Sequence, residues 1–250
     1  MKQIAAAFSI FTRIPVWKWI KIPQEAYSSV VVYWPLTGWF TGGTTALLLW
    51  LCARIMPTLP AIIVALTART MLTGALHEDG LADFCDGFGG GTSKEKILTI
   101  MKDSHIGTYG VIGLILYYIL FTSLVSGLPL DVAVLGIFAA DAFAKATSSQ
   151  LINFLPYARP EGAKNRITYA HMSPLQIIFA AISGILPLAA LSYINIYMAA
   201  SAIFPITLFA LLVTYMRRKI GGYTGDCCGA SCLLCEISML IGITVIHTIL

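Results

Sequence analysis

Seven stretches of this chain are long and nearly free of charge, and that pattern excludes most folds open to 250 residues. They cover about 30–53, 59–76, 111–128, 132–151, 175–199, 202–216 and 230–250. None holds more than two charged residues. A hydrocarbon slab about 30 Å thick is crossed by roughly 20 apolar helical residues, so each run reads as a transmembrane helix. Only 11% of the residues are charged, against 58% hydrophobic; a water-soluble domain carries about 25% charged residues. The expected fold is all-α: a polytopic integral membrane helical bundle of about seven spans, forming one domain over 1–250. The fifth and sixth spans are joined near Ser201 as a tight hairpin.

Thirteen of the sixteen Lys and Arg fall in alternate connections. These are Lys2, Arg13, Lys18 and Lys21; Lys94, Lys96 and Lys102; Arg159, Lys164 and Arg166; and Arg217, Arg218 and Lys219. The opposite connections hold Arg54 alone, and Arg69 and Lys145 lie inside spans. Cytoplasmic loops are the Lys/Arg-rich ones, so the amino terminus is expected in the cytoplasm and the carboxyl terminus outside. The net charge of +4 then reflects topology and requires no nucleic-acid partner. Ile4, Phe8 and Phe11 share a face near the start of the chain, which reads as an interfacial helix. Arg13-Ile14-Pro15 interrupts that run too early for a signal peptide.

Cys227, Cys228, Cys232 and Cys235 cluster where the last span begins. Cys232 and Cys235 have ligand spacing. Cys228, Cys232 and Cys235 also repeat at i, i+4 and i+7, as small residues packing one helix face do. A reducing cytoplasm disfavours disulfides there.

The acids are not scattered. Of twelve Asp and Glu, six lie between Glu78 and Asp103. If the second span's helix continues through His77-Glu78-Asp79-Gly80-Leu81-Ala82-Asp83-Phe84-Cys85-Asp86-Gly87, then Asp79, Asp83 and Asp86 share one face. Like charges so placed repel and call for a counter-ion. A solvated acidic helix end is the plain alternative. Carboxylates with water suit Mg²⁺, which is often shared with substrate phosphates. The rise from Asp79 to Asp86, about 10 Å, is long for one ion and accommodates two ions about 4 Å apart. Gly87, Gly89, Gly90 and Gly91 follow, either as a turn or as backbone able to approach a phosphate. Lys102 and Asp103 then precede hydroxyl-rich Ser104-His105-Ile106-Gly107-Thr108-Tyr109-Gly110. Arg159, Lys164 and Arg166 could bind phosphates, although they also serve topology. Gly221-Gly222-Tyr223-Thr224-Gly225-Asp226 opens the last helix, where Asp226 stands as an anion site's neighbour or as a cap. Within the spans, Asp141 and Lys145 are i, i+4 and set to pair, and Arg69 and Glu236 add one charge of each sign.

Four segments in order resemble the cobalamin synthase family, also called the adenosylcobinamide-GDP ribazoletransferases. They are Phe11-Thr12-Arg13-Ile14-Pro15; Glu78-Asp79-Gly80-Leu81-Ala82-Asp83 with Asp86-Gly87; Met101-Lys102-Asp103-Ser104 with Ile106-Gly107-Thr108-Tyr109-Gly110; and Gly222-Tyr223-Thr224-Gly225-Asp226. The resemblance implies Mg²⁺-dependent transfer from adenosylcobinamide-GDP to α-ribazole or its 5′-phosphate. The products are GMP and adenosylcobalamin or its phosphate, in a late step of cobalamin biosynthesis. It implies a bacterial inner-membrane enzyme whose active site faces the cytoplasm. Under it, Asp79, Asp83 and Asp86 would hold Mg²⁺, Asp86 or Asp103 would act as base, and Lys102, Arg159, Arg166 and Asp226 would bind substrate. A homo-oligomer is compatible with the sequence and not required by it.

Three rivals differ by pattern. A transporter should show repeated halves and broken helices near the midplane, and no repeat is found. A CDP-alcohol phosphotransferase making phospholipid should show Asp-Gly-x-x-Ala-Arg, whereas Asp79-Gly80-Leu81-Ala82 is followed by Asp83. A membrane scaffold has no need of stacked aspartates.

Overall fold

The computed structural model describes residues 1–159 and 169–250. Every expected span forms a helix: α2 (Trp34–Cys52), α3 (Thr58–Thr73), α6 (Thr108–Ser126), α7 (Leu130–Ser149), α9 (Pro174–Ile194), α10 (Ile203–Ile220) and α11 (Gly225–Ile249). Shorter helices are α1 (Lys2–Phe11), α4 (Leu76–Gly90), α5 (Lys94–Ile100) and α8 (Leu151–Phe154). Among the described residues the fold contains no β-strand, only an isolated parallel bridge between Tyr157 and Tyr223.

Length and apolarity single out four of these segments as able to cross a membrane: Thr108–Ser126, Pro174–Ile194, Ile196–Ile220 and Gly225–Ile249. Thr58–Thr73 and Leu76–Gly90 meet the test only as a pair, which would make a fifth crossing. The other two, α2 and α7, are long enough but less apolar, because they form the centre of the bundle. There Thr37, Thr41 and Thr45 of α2 are buried, and Gly38 lets α2 approach α7 so closely that a Cβ would lie 2.8 Å from Ala142 Cα. Small residues at such contacts are how membrane helices pack. The outer helices show the reverse: Ile112, Ile115, Leu116 and Ile119 of α6, and Ile178, Ile182 and Ile185 of α9, are exposed. Such a surface suits lipid and would aggregate in water.

The second span does not continue straight into the acid-rich segment. Gly74 and Ala75 both adopt left-handed backbone, at φ 67° and 58°, and α4 leaves α3 at 89°. Gly74 is required: its φ is positive, and a Cβ would fall 1.9 Å from Arg13 Nε. The turn is pinned by the Arg13 N–H, which donates to the Leu72 carbonyl at 2.7 Å. From there α4 runs across one end of the bundle. It meets the start of α11 at Gly80 and Gly229, the start of α6 at Asp86 and Cys85, and the end of α10 through Phe88 and Tyr215. The amino-terminal helix also docks there, burying Ala5, Ala6, Ala7 and Phe11, with Phe11 stacked on Trp34 at 5.0 Å.

Beneath α4 the charges within the spans are paired. Arg69 of α3 bonds Glu236 of α11 and the Tyr117 hydroxyl of α6, and Tyr117 donates to Glu236 at 2.8 Å. Lys145 and Asp141 pair within α7 as the spacing required, and Lys145 also donates to Thr41 Oγ1 at 2.8 Å. Removing one member of such a pair leaves a buried charge alone, at a cost of roughly 3–5 kcal/mol.

Two outcomes are expected from thermal unfolding in detergent. Gly74→Ala lowers the midpoint, since a left-handed alanine costs about 1–2 kcal/mol before the clash with Arg13 is counted. Glu236→Ala lowers it more than the paired replacement Arg69→Met with Glu236→Leu, which removes both charges together.

Candidate functional site

The site lies where α4 crosses the first turn of α11. A Cβ on Gly80 would stand 2.9 Å from the Asp226 carbonyl oxygen, so only glycine lets the two backbones come this near. That approach brings Asp79 and Asp83, on either side of Gly80 in sequence, up to Asp226. Asp79 is exposed, Asp83 and Asp226 are half-buried, and Asp86 is buried.

Thr224 caps α11, its Oγ1 accepting the Cys227 N–H at 3.3 Å. Asp226 therefore does not serve as the cap. It accepts from Arg159 Nη2 at 2.7 Å. Arg159 arrives through a short backbone clasp: the Tyr223 N–H donates to the Pro156 carbonyl at 2.9 Å, and the Ala158 N–H to the Tyr223 carbonyl at 2.8 Å.

Charge is unbalanced around Asp83. Partial burial, then the carboxylates of Asp226 and Asp79, push its pKa up from 3.8 to about 7, while Arg159 pulls the other way. Ionised, the group faces more negative than positive charge, and a divalent cation would relieve it. Among the described residues, no three His, Cys, Asp or Glu side chains converge as a protein-only metal cage. Mg²⁺ rarely uses one; it takes one or two carboxylates, keeps waters and shares substrate phosphates. Asp83 with Asp226 or Asp79 fits that demand.

The remaining sequence candidates are placed differently. Asp86 turns from its neighbours to the start of α6, where its oxygens accept the Gly107 and Gly110 N–H groups at 2.7 and 2.8 Å. An anion at a helix amino terminus is favourable, so Asp86 anchors α4 to α6. Asp103 sits exposed in the turn before α6 and accepts from the His105 N–H at 3.0 Å, with His105 Nδ1 at 2.7 Å. Those hydrogen bonds hold its carboxyl below the usual range, and none of its bonds reaches the α4–α11 acids. Lys102 is exposed at the end of α5. Arg166 lies outside the described residues. Cys227, Cys228, Cys232 and Cys235 are buried within the bundle, Cys235 donating to the Pro205 carbonyl at 3.7 Å.

A cleft that no sequence pattern marks opens beside these acids. Its volume is about 160 Å³, with Phe11, Val31, Trp34 and Leu76 in its walls and Asp79 and Asp226 at its polar end. These residues come from four separate stretches, and only packing assembles them.

Comparison with known proteins agrees with the resemblance found in the motifs. The family model for cobalamin-5-phosphate synthase matches residues 3–244. A protein of Leptothrix cholodnii named adenosylcobinamide-GDP ribazoletransferase is 36% identical, covering 94% of this chain and 92% of its own. Proteins of the same name from Shewanella sp. strain W3-18-1 and Shewanella frigidimarina are 35% and 37% identical, over 98% and 92% of this chain. No solved structure matches. The chain belongs to the cobalamin-5-phosphate synthase family, and it is an enzyme of cobalamin synthesis.

The unbalanced charge makes a stability test possible. Between pH 3.8 and about 7 the folded chain holds a proton on Asp83 that the unfolded chain has released, so stability falls as pH rises through that window. In chelator at pH 8, Asp83→Asn should therefore unfold at the same temperature as the parent or higher, and the difference should shrink by pH 5. Asp86→Ala should unfold earlier at both, since it strands two backbone donors, at about 1–3 kcal/mol each.

Proposed function

We propose that this membrane transferase moves the adenosylcobinamide phosphate group from adenosylcobinamide-GDP to α-ribazole or its 5′-phosphate, releasing GMP, with Mg²⁺ required. The observation that carries this reading is the meeting of Asp79, Asp83 and Asp226 with Arg159 at one end of a bundle that matches the family over residues 3–244. A pyrophosphate substrate brings negative charge that needs both a cation and a guanidinium, and the site offers places for both.

Asp83 and Asp226 are the carboxylates that would hold Mg²⁺ against the pyrophosphate. Bound there, the ion offsets the charge that develops on the departing phosphate. Arg159, seated on Asp226 in the resting site, is placed to engage a phosphate oxygen and orient it. The ribazole hydroxyl oxygen attacks the phosphorus that bears the cobinamide arm, in line with the leaving GMP oxygen. The new P–O bond forms as the bond to GMP breaks, and the hydroxyl proton passes to a carboxylate. Asp79 is the base for that step, because it lines the cleft through which an acceptor reaches the cluster. A base must come within about 3 Å of the proton it takes. The role passes from Asp86, whose oxygens are bound to α6, and from Asp103, which stands apart. Lys102 and Arg166 remain candidates for contacts with the large donor.

All the helix ends that meet at this site adjoin the Lys/Arg-rich connections. Arg13 bonds Leu72, Arg159 bonds Asp226, and Arg217 donates to the Phe154 carbonyl at 3.0 Å. With the positive-inside rule, this supports an active site on the cytoplasmic side, as a bacterial inner-membrane enzyme would have. The comparisons do not favour the CDP-alcohol phosphotransferase and transporter readings.

Purified protein in detergent, given adenosylcobinamide-GDP and α-ribazole 5′-phosphate, is expected to release GMP only with Mg²⁺. Asp83→Asn should lose about 100-fold or more in kcat, the scale of losing one electrostatic contact to a transition state, while staying folded. Near-normal turnover by that variant would overturn the assignment.

A further inference from the structure

The cleft beside the acids has a shape and chemistry of its own. Its walls are the rings and aliphatic groups of Phe11, Val31, Trp34 and Leu76, and its polar end is Asp79 and Asp226. The wall is rigid: Phe11 stacks on Trp34 at 5.0 Å, and Trp34 stacks on His77 at 5.5 Å. The Trp34 indole N–H is already committed to His77 Nε2 at 3.2 Å. Tyr169 supplies the one side-chain hydroxyl in the lining among the described residues.

We propose that this cleft binds the planar heteroaromatic base of the acceptor nucleoside and so sets the ribose hydroxyl beside Asp79. The inference rests on the transferase reading and adds to it the place and chemistry of acceptor recognition. Three arguments support it. An apolar aromatic wall gains by burying a flat ring that has few groups to desolvate. A dimethylated benzimidazole has one free ring nitrogen, which a single hydroxyl can serve. The cavity volume, about 160 Å³, suits a single planar bicyclic ring, whereas an adenosylated corrinoid is many times larger. The donor would then approach the acids from outside the cleft, leaving both reactants against the same carboxylates.

The test fills the cleft from partly exposed positions, where a larger side chain need not disturb the core. Leu76 is 43% exposed and Ile10 half-buried. Leu76→Trp and Ile10→Trp, each first shown to unfold at the parent's temperature, are assayed in detergent with both substrates varied. The expected result is a rise of about tenfold or more in KM for α-ribazole 5′-phosphate, as loss of a buried ring predicts. The KM for adenosylcobinamide-GDP should stay within about twofold. A rise for the GDP substrate alone would place the donor in the cleft and overturn the proposal, as would no change in either. If the parent protein shows no turnover, the transferase reading fails separately. Saturation-transfer NMR with α-ribazole and with GMP on the same protein then still decides the cleft. Contact with α-ribazole that Leu76→Trp abolishes supports the proposal; contact with GMP alone, or with neither, overturns it.

Discussion

Carboxylates cannot enter hydrocarbon without partners, and this chain carries six of its twelve acids between Glu78 and Asp103. The 89° turn at Gly74 and Ala75 resolves that conflict. It ends α3 and sends α4 across the mouth of the bundle, so that the aspartates sit over the helices and not among them. The beginnings of α6 and α11 then become the walls of the site. A straight continuation would have carried the same acids away from Asp226 and Arg159. The docking of α1, the clasp between 156–158 and Tyr223, and the cleft itself all presuppose this turn.

Below the turn, the charges that remain inside the helices satisfy one another. Arg69, Tyr117 and Glu236 tie α3, α6 and α11 together, and Asp141, Lys145 and Thr41 tie α7 to α2. Such pairs add little net stability over apolar packing, but they are intolerant of losing one member. Their value here is positional. They fix the helices whose ends carry Asp226 and whose loops carry Arg159, and they do so directly beneath α4, where His77 and Glu78 are buried.

The site is arranged at a cost to local stability. Asp83 faces three like charges with one opposing guanidinium, an imbalance that a bound cation would relieve. Asp86, by contrast, is fully used by the fold: it satisfies two backbone donors at the start of α6. Aspartates at equivalent-looking positions of one helix thus divide into one held by backbone donors and one that faces other acids. The division follows from what each side of α4 faces.

Local patterns in the sequence were sufficient for the helices, for the shared helix that carries Asp79, Asp83 and Asp86, for the Asp141–Lys145 pair and for the family. Each depends on residues a few positions apart or on runs long enough to span a bilayer. The right-angle turn was only half visible: Gly74 is a natural breaker, but nothing marked Ala75 as left-handed. The Arg159–Asp226 pair joins residues 67 apart in sequence, and the cleft draws on α1, α2, α4 and α11 together with the stretch that precedes α2. Periodicity fixes which residues share a face of one helix. Which faces meet is set by long-range packing, here by Gly80 against Asp226 and Gly38 against Ala142, and only the tertiary structure decides that.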